Sequence, residues 1–192
     1  EGVEIDGKIT DLAEQYFELP EDVKVTTYDG RAYLNAVDRK YDVIMVDAYQ
    51  DITIPFQMSS AEFFTQVREH LTGDGVMVVN MNMRGTEEGN INQYLADTIS
   101  TVFSDVYTVD VARSTNRELF ASNSPRMIER MKQNITGIEH ADLSQMMQEV
   151  SGELVPYAAG NYLMTDDNAP VELLGMQVID DLIQDEGDNY RG

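Results

Sequence analysis

The sequence has no cysteine and no tryptophan, and it is poor in basic residues. Its 192 residues contain 13 Lys and Arg against 35 Asp and Glu, so the formal net charge is −22. Without cysteine, the chain can form no disulfide, no thiolate metal site and no cysteine nucleophile. The shortage of basic residues argues against binding to nucleic acid or to an anionic membrane surface, because both are polyanions. Cationic ligands are compatible with this charge, but a strongly negative charge more often reflects only an acidic, solvated surface.

Long apolar runs are also absent. No stretch approaches the roughly 18 to 20 apolar residues of a membrane-spanning helix, and the N-terminus lacks the pattern of a signal peptide. The chain begins with Glu1 rather than Met, from which we expect a piece of a longer protein. The location expected from these features is cytoplasmic, and a cytosolic domain of a membrane protein is left open.

Through the first 125 residues, segments with the apolar spacing of a strand alternate with segments that have the apolar spacing of a helix. This pattern is typical of strands and helices that alternate around a largely parallel sheet. Residues 41–47 are almost wholly apolar, which predicts a central strand buried on both faces. Residues 106–111 and 118–122 predict an antiparallel pair, because their connection is short. The predicted fold class is therefore α/β: a Rossmann-like sheet of the methyltransferase type, mostly parallel with a reversed C-terminal strand and helices on both faces.

Acids stand at the ends of three predicted strands: Glu4 and Asp6, then Asp29, then Asp47. In open parallel α/β sheets the ligand lies at the carboxyl ends of the strands. A carboxylate there can accept hydrogen bonds from both ribose hydroxyls, which suits Glu4, while Asp29 and the amide of Gly30 are placed to meet an adenine. Each acid alone is equally well read as a strand-end or turn residue. Three at successive strand ends indicate a site.

Five segments match, in order and spacing, a run found in the spermidine synthase (polyamine aminopropyltransferase) family. The resemblance covers roughly residues 1–82, and residues 165–174 also resemble a segment near the end of bacterial members, some of which are fused to membrane helices. The five segments are Val3–Asp6, Tyr28–Leu34, Tyr41–Asp47, Ala61–Phe64 and Leu71–Val76.

The resemblance implies transfer of an aminopropyl group from decarboxylated S-adenosylmethionine to an amine, without a metal. It implies that Glu4, with Asp6 beside it, binds the ribose and that Asp29 and Gly30 bind the adenine. Asp47 would be the acid at the reaction centre, where a carboxylate can accept the proton of the attacking amine. The residues that follow it, Tyr49, Gln50 and Asp51, are the candidates for binding the acceptor.

Two departures from the family keep other functions open. The second aspartate usual three residues after the first is replaced by Gln50, with Asp51 next to it. The glycine-rich loop expected before Val3 is not in this sequence, and we expect the first strand of the fold to be missing with it. A methyltransferase that uses S-adenosylmethionine, and a non-catalytic module that binds a nucleotide or a partner protein, therefore remain alternatives.

We expect an N-terminally truncated S-adenosyl-binding domain at residues 1–135 and a helical extension packed on it at residues 136–192. A homodimer and a fusion to membrane helices are left open as further associations. His70 and His140 are isolated, so a metal site is not expected. Asp166, with Asp167 and Glu172, is interpreted as bracing the C-terminal segment rather than binding an amine.

Overall fold

The structure is a computed structural model that describes residues 1–48, 54–81, 88–112 and 114–189. Strands and helices alternate in it up to β4, as the sequence predicts, and a short 3-10 helix at Phe56–Met58 precedes α3. The strands are β1 (Gly2–Glu4), β2 (Val25–Thr27), β3 (Tyr41–Val46), β4 (Leu71–Met81), β5 (Asp105–Asp110), β6 (Arg117–Ser122) and β7 (Val155–Pro156). The helices are α1 (Gly7–Tyr16), α2 (Gly30–Ala36), α3 (Ala61–His70), α4 (Ile91–Ser100), α5 (Met127–Ile135), α6 (Ala141–Glu153) and α7 (Val171–Asn189).

The chain forms two compact units, Glu1–Arg39 and Lys40–Gly192. In the first unit, β1 and β2 pair in parallel, with Glu4 opposite Thr27. Helix α1 connects the two strands, and α2 follows β2. Because the strands are parallel, their carboxyl ends lie at the same edge of this small sheet.

In the second unit, five strands form a sheet in the order β3-β4-β6-β5-β7. Strands β3 and β4 pair in parallel, whereas β6 runs antiparallel to both β4 and β5. Strands β3, β4 and β5 therefore share one direction, and β6 is the reversed strand between two of them. The predicted α/β fold class and its reversed strand late in the chain are confirmed, and the five-stranded sheet is mixed, since β7 also runs antiparallel to β5.

One face of the five-stranded sheet carries the core. Helices α3 and α4 cover this face, and side chains from the sheet and from both helices are almost fully buried there. The opposite face is covered by α5 and α6 only in part, and it borders an apolar cavity of about 450 Å³. The buried side chains of the core include Phe63, Phe64, Val67, Met77, Val79, Met81, Leu95, Ile99, Leu119 and Ala121.

The prediction that residues 41–47 form a strand buried on both faces is wrong for one face. Val46 is buried, but Val43 and Met45 are 54% and 74% exposed. These two side chains lie on the partly covered face, and in the described part of the chain β3 pairs with β4 alone. An apolar run indicates that a strand can be buried, but it does not indicate which faces of the sheet are covered by helices.

The C-terminal residues add a strand and a helix to the second unit. Strand β7 extends the sheet by pairing with β5, Tyr107 opposite Pro156. Helix α7 continues to Asn189. Residues 136–189 lie in the same compact unit as β3 to β6. The division into domains at residue 135 stays a prediction.

A buried carboxylate on α4 holds the segment that follows β7. Asp97 is 2% exposed and accepts hydrogen bonds from the Tyr157 hydroxyl at 2.7 Å and from the amides of Gly160 and Tyr162 at 2.8 and 3.0 Å. Three donors compensate for the desolvation of this carboxylate. Burial and the hydrogen bond to Asp97 raise the pKa of the Tyr157 hydroxyl. A Cβ at Gly160 would lie 2.6 Å from Asp97 Oδ2, so the close approach requires glycine.

The predicted bracing role of Asp166 is confirmed at the start of α3. Ser60 is the N-cap of this helix, accepting from the amide of Phe63 at 3.2 Å, and its hydroxyl donates to Asp166 Oδ1 at 2.5 Å. Glu62 accepts from the amide of Asp166 at 3.0 Å. The cap and the brace form one network, which fixes residues 164–166 against the helix.

Within the part of the chain that the structure describes, no helix combines the length and the apolar composition that crossing a bilayer requires.

We expect the Asp97→Asn substitution to lower the free energy of unfolding by about 3 kcal/mol, because an amide NH₂ would face a backbone donor inside the protein. Urea unfolding measures this change. The matched substitution Glu139→Gln removes the same charge at an exposed site and should change stability by less than about 0.5 kcal/mol. Equal stability of the two variants would mean that Asp97 does not hold the segment.

Candidate active site

The predicted site residues of the first unit lie together at one edge of its sheet. Glu4 is the last residue of β1, and Asp29 follows β2 by two positions. Asp6 and Asp29 are the N-caps of α1 and α2, and Gly30 is the first residue of α2. Glu4 and Asp29 therefore lie at the carboxyl edge of this parallel pair.

Each of these acids has a structural partner. Asp6 Oδ1 accepts from the Lys8 amide at 2.9 Å, and Asp29 Oδ1 accepts from the Ala32 amide at 2.8 Å. Glu4 Oε1 accepts from the Asp6 amide at 2.9 Å. Each bond occupies one of the two carboxylate oxygens, which leaves the other oxygen as an acceptor for a ligand. Their roles in binding a ribose and an adenine stay predictions.

In the second unit, Asp47 directly follows β3 and is exposed at the carboxyl end of the parallel pair. Its Oδ1 accepts from the Asn80 side-chain amide at 3.2 Å, and Asn80 Oδ1 accepts from the Asn116 side-chain amide at 3.0 Å. This chain of amides orients one oxygen of the carboxylate. The arrangement therefore presents a fixed, solvent-accessible carboxylate that can accept a proton.

Glu118 is a second acid at this edge, and the sequence analysis did not identify it. It lies opposite Asn80 in the antiparallel pairing of β4 with β6. Burial, and in smaller part the charge of Asp47, raise the pKa of Glu118. The signal was present in the sequence, since the first residues of a reversed strand must lie beside the last residues of its neighbour. Only the pairing of β6 with β4 shows which residue is involved.

A cavity of about 400 Å³ lies near the same edge, between α4 and the strands β4, β5 and β6. Polar side chains line it, among them Glu88, Asn92 and Arg117. The guanidinium of Arg117 is paired with Asp110, with Nε 2.7 Å from Oδ1. The cavity is thus a polar pocket beside the end of β4.

The predicted acceptor residues Tyr49, Gln50 and Asp51 lie outside the described residues, so their assignment stays a prediction. His70 Nδ1 lies 2.8 Å from the Gln66 carbonyl oxygen on its own helix, and His140 is the N-cap of α6. Among the residues that the structure describes, no group of three acidic or histidine side chains is placed to hold a metal ion.

Solved structures share this fold at low sequence identity. The crystal structure of human methyltransferase-like protein 13 in complex with SAH superposes with a TM-score of 0.59 at 21% identity, over 86% of this chain and 75% of that chain. Spermidine synthase from Thermotoga maritima superposes with a TM-score of 0.54 at 20% identity, over 66% and 46% of the two chains. These likenesses confirm the Rossmann-like, methyltransferase-type fold.

Sequence relatives identify the family. A probable polyamine aminopropyl transferase of Bifidobacterium longum is 53% identical over 99% of this chain, which spans 46% of that protein. A polyamine aminopropyltransferase of Vibrio vulnificus is 26% identical over 62% of this chain and 40% of its own length. The chain thus spans about half the length of the curated relatives that it matches, or less. The profile of the spermine/spermidine synthase domain matches residues 1–119, and the chain belongs to this family.

Proposed function

We propose that the protein transfers an aminopropyl group from decarboxylated S-adenosylmethionine to an amine. The observation that carries the proposal is the position of Asp47, a fixed and accessible carboxylate at the carboxyl end of β3, within the residues that match the spermine/spermidine synthase domain. Ligands of open parallel α/β sheets bind at that end of the strands.

The reaction needs a neutral amine, and Asp47 supplies the base. The nitrogen lone pair of the amine attacks the methylene carbon beside the sulfonium, and a C–N bond forms as the C–S bond breaks. The electron pair of the C–S bond returns to sulfur, so methylthioadenosine leaves as a neutral thioether. The proton lost by the amine passes to the carboxylate of Asp47 and then to solvent.

The first unit supplies the proposed contacts to the adenosyl group. Glu4 would accept from the ribose hydroxyls through the carboxylate oxygen that the Asp6 amide does not use. Asp29 would accept from the adenine amino group in the same way, while the amide of Gly30 donates to the adjacent ring nitrogen. Asp29 already caps α2 through its other oxygen, so the bond that begins the helix also fixes the carboxylate for binding.

The charge of the protein suits this chemistry. The donor carries a sulfonium, and polyamines are cations, whereas the chain has a net charge of −22. A negative field raises the local concentration of cationic substrates. A homodimer, a cytoplasmic location and a fusion to membrane helices remain predictions.

We expect Asp47→Asn to lower kcat by roughly 100-fold or more in the intact protein, because an amide cannot accept the proton. Affinity for the donor should change little, since Asp47 acts on the amine. The readout is release of methylthioadenosine with a series of amines. Asp42→Asn is the matched control: it makes the same change on β3, at an exposed residue that accepts from the Thr72 hydroxyl at 2.9 Å, and it should keep activity within about twofold.

If the Asp47→Asn variant is as active as the parent protein, Asp47 is not the base. An intact protein that binds the donor but releases no methylthioadenosine with any amine would not be an aminopropyltransferase. Methyl transfer from S-adenosylmethionine in the same assay would identify the methyltransferase alternative, and binding without either reaction would identify a binding module.

We expect Glu4→Gln to weaken the binding of methylthioadenosine by about 1.5 to 3 kcal/mol, because a charged acceptor is replaced by an amide whose NH₂ donates. The glutamine keeps an oxygen for the Asp6 amide, so the strand end should stay intact. Calorimetry of methylthioadenosine binding measures the loss. Glu14→Gln, on the exposed side of α1, is the control, and equal affinities for the two variants would show that Glu4 is only a strand-end acid.

A further inference from the structure

Three neighbouring strands bring Asp47, Asn80 and Glu118 side by side. Asn80 lies opposite Glu118 in the pairing of β4 with β6. Val46 lies opposite Val79 in the pairing of β3 with β4, so the next residues, Asp47 and Asn80, are neighbours and are joined by a hydrogen bond of 3.2 Å. Side chains alternate between the faces of a sheet, and residues paired across strands share a face. The two carboxylates therefore flank one amide on one face.

No cation of the described chain compensates these two carboxylates. Arg117 precedes Glu118 and therefore points to the opposite face, where it pairs with Asp110. Asn80, between the two acids, donates to Asp47. Other arginines of the described residues form ion pairs elsewhere, Arg39 with Glu1, and Arg126 and Arg130 with Asp74.

The environment of Glu118 opposes its ionisation. The residue is half-buried, and both its burial and the nearby charge of Asp47 raise its pKa. A carboxylate without a counter-ion in such a place destabilises the folded protein. A cationic ligand between the strands would reverse this effect, because an ammonium favours the ionised form of both acids.

We propose that Glu118 determines acceptor specificity by binding a second ammonium group of the amine whose other nitrogen is deprotonated at Asp47. The inference rests on the proposed function and deepens it, since it names the side chain that would select an acceptor with a second ammonium group. Strands are about 4.8 Å apart, so the backbones of β3 and β6 are about 10 Å apart. A four-carbon diamine has about 6 Å between its nitrogens. With a hydrogen bond of about 2.8 Å at each end, it spans a length comparable to this separation of the backbones.

The division of labour follows from the chemistry of the two nitrogens. The attacking nitrogen must be neutral, so it needs a base rather than a counter-ion. The distant nitrogen stays protonated at neutral pH and needs a carboxylate that does not react. Asp47, exposed and oriented by the Asn80 amide, suits the first role. Glu118, half-buried and without a cationic partner among the described residues, suits the second.

The test compares the binding of 1,4-diaminobutane and 1-aminobutane, by calorimetry, to the intact protein and to its variants. Glu118→Gln should weaken binding of the diamine at least about tenfold and change binding of the monoamine less than about twofold. Glu118→Asp, which keeps the charge, should recover part of the loss. Asp105→Asn makes a matched change in the same hairpin at the opposite edge of the sheet, where Asp105 pairs with Ser122, and should bind both amines as the parent does.

The outcomes separate this inference from the proposed function. Loss of the diamine preference in Glu118→Gln supports the inference, even if no methylthioadenosine is released and the transferase proposal fails. An active parent whose preference survives in Glu118→Gln overturns the inference and leaves the function standing. An equal loss for both amines also overturns it, as does a parent that binds neither amine.

Stability against pH gives a readout that does not depend on amines. Folding raises the pKa of Glu118 above its ordinary value of 4.5. A carboxyl group of this kind makes the folded state less stable as the pH rises from below its ordinary pKa through its raised pKa. Glu118→Gln removes this group, so relative to the parent its melting temperature should rise between pH 4 and pH 7. Among the described residues, Asp47 on β3 is the charge that raises the pKa of Glu118, and the Arg117–Asp110 pair lies on the other face. A variant that loses stability relative to the parent over this range would overturn the premise of an uncompensated acid.

Discussion

The pairing of β4 with a parallel strand on one side and a reversed strand on the other determines what the second unit can do. The parallel partner β3 brings Asp47 to the end of β4, and the reversed partner β6 brings its first residues to the same place. Three side chains from parts of the chain that are distant in sequence therefore meet on one face. With a parallel strand in place of β6, Glu118 would lie at the other edge of the sheet.

The acids at the strand ends of both units accept hydrogen bonds from amides. Each acid at the strand ends of the first unit accepts a backbone amide, and Asp47 accepts a side-chain amide. Each of these bonds satisfies an amide donor next to a carboxylate. Glu118 differs from these acids, since burial and the charge of Asp47 raise its pKa.

Local features of the fold could be predicted from the sequence, whereas pairings between distant strands could not. The alternation of apolar periods predicted the strands and helices up to β6. The position of Asp47 at a strand end followed from the apolar run before it. The partnership of Asn80 with Glu118 depends on register, which no local pattern reports. The exposure of Met45 was missed for a related reason, since composition cannot show which face has a covering layer.

Two polar contacts of the second unit also constrain the order of events when the protein is made. The bond between Asp97 and Tyr157 closes a loop of 60 residues, and the bond between Ser60 and Asp166 closes one of 106 residues. While the chain is being synthesised, α3 and α4 can leave the ribosome long before these partners exist. Until residues 157–162 have emerged, the carboxylate of Asp97 lacks the three donors that hold it in the interior, so the core cannot be completed before then. The segment that contains residues 157–166 must therefore dock onto α3 and α4 after both helices have been synthesised.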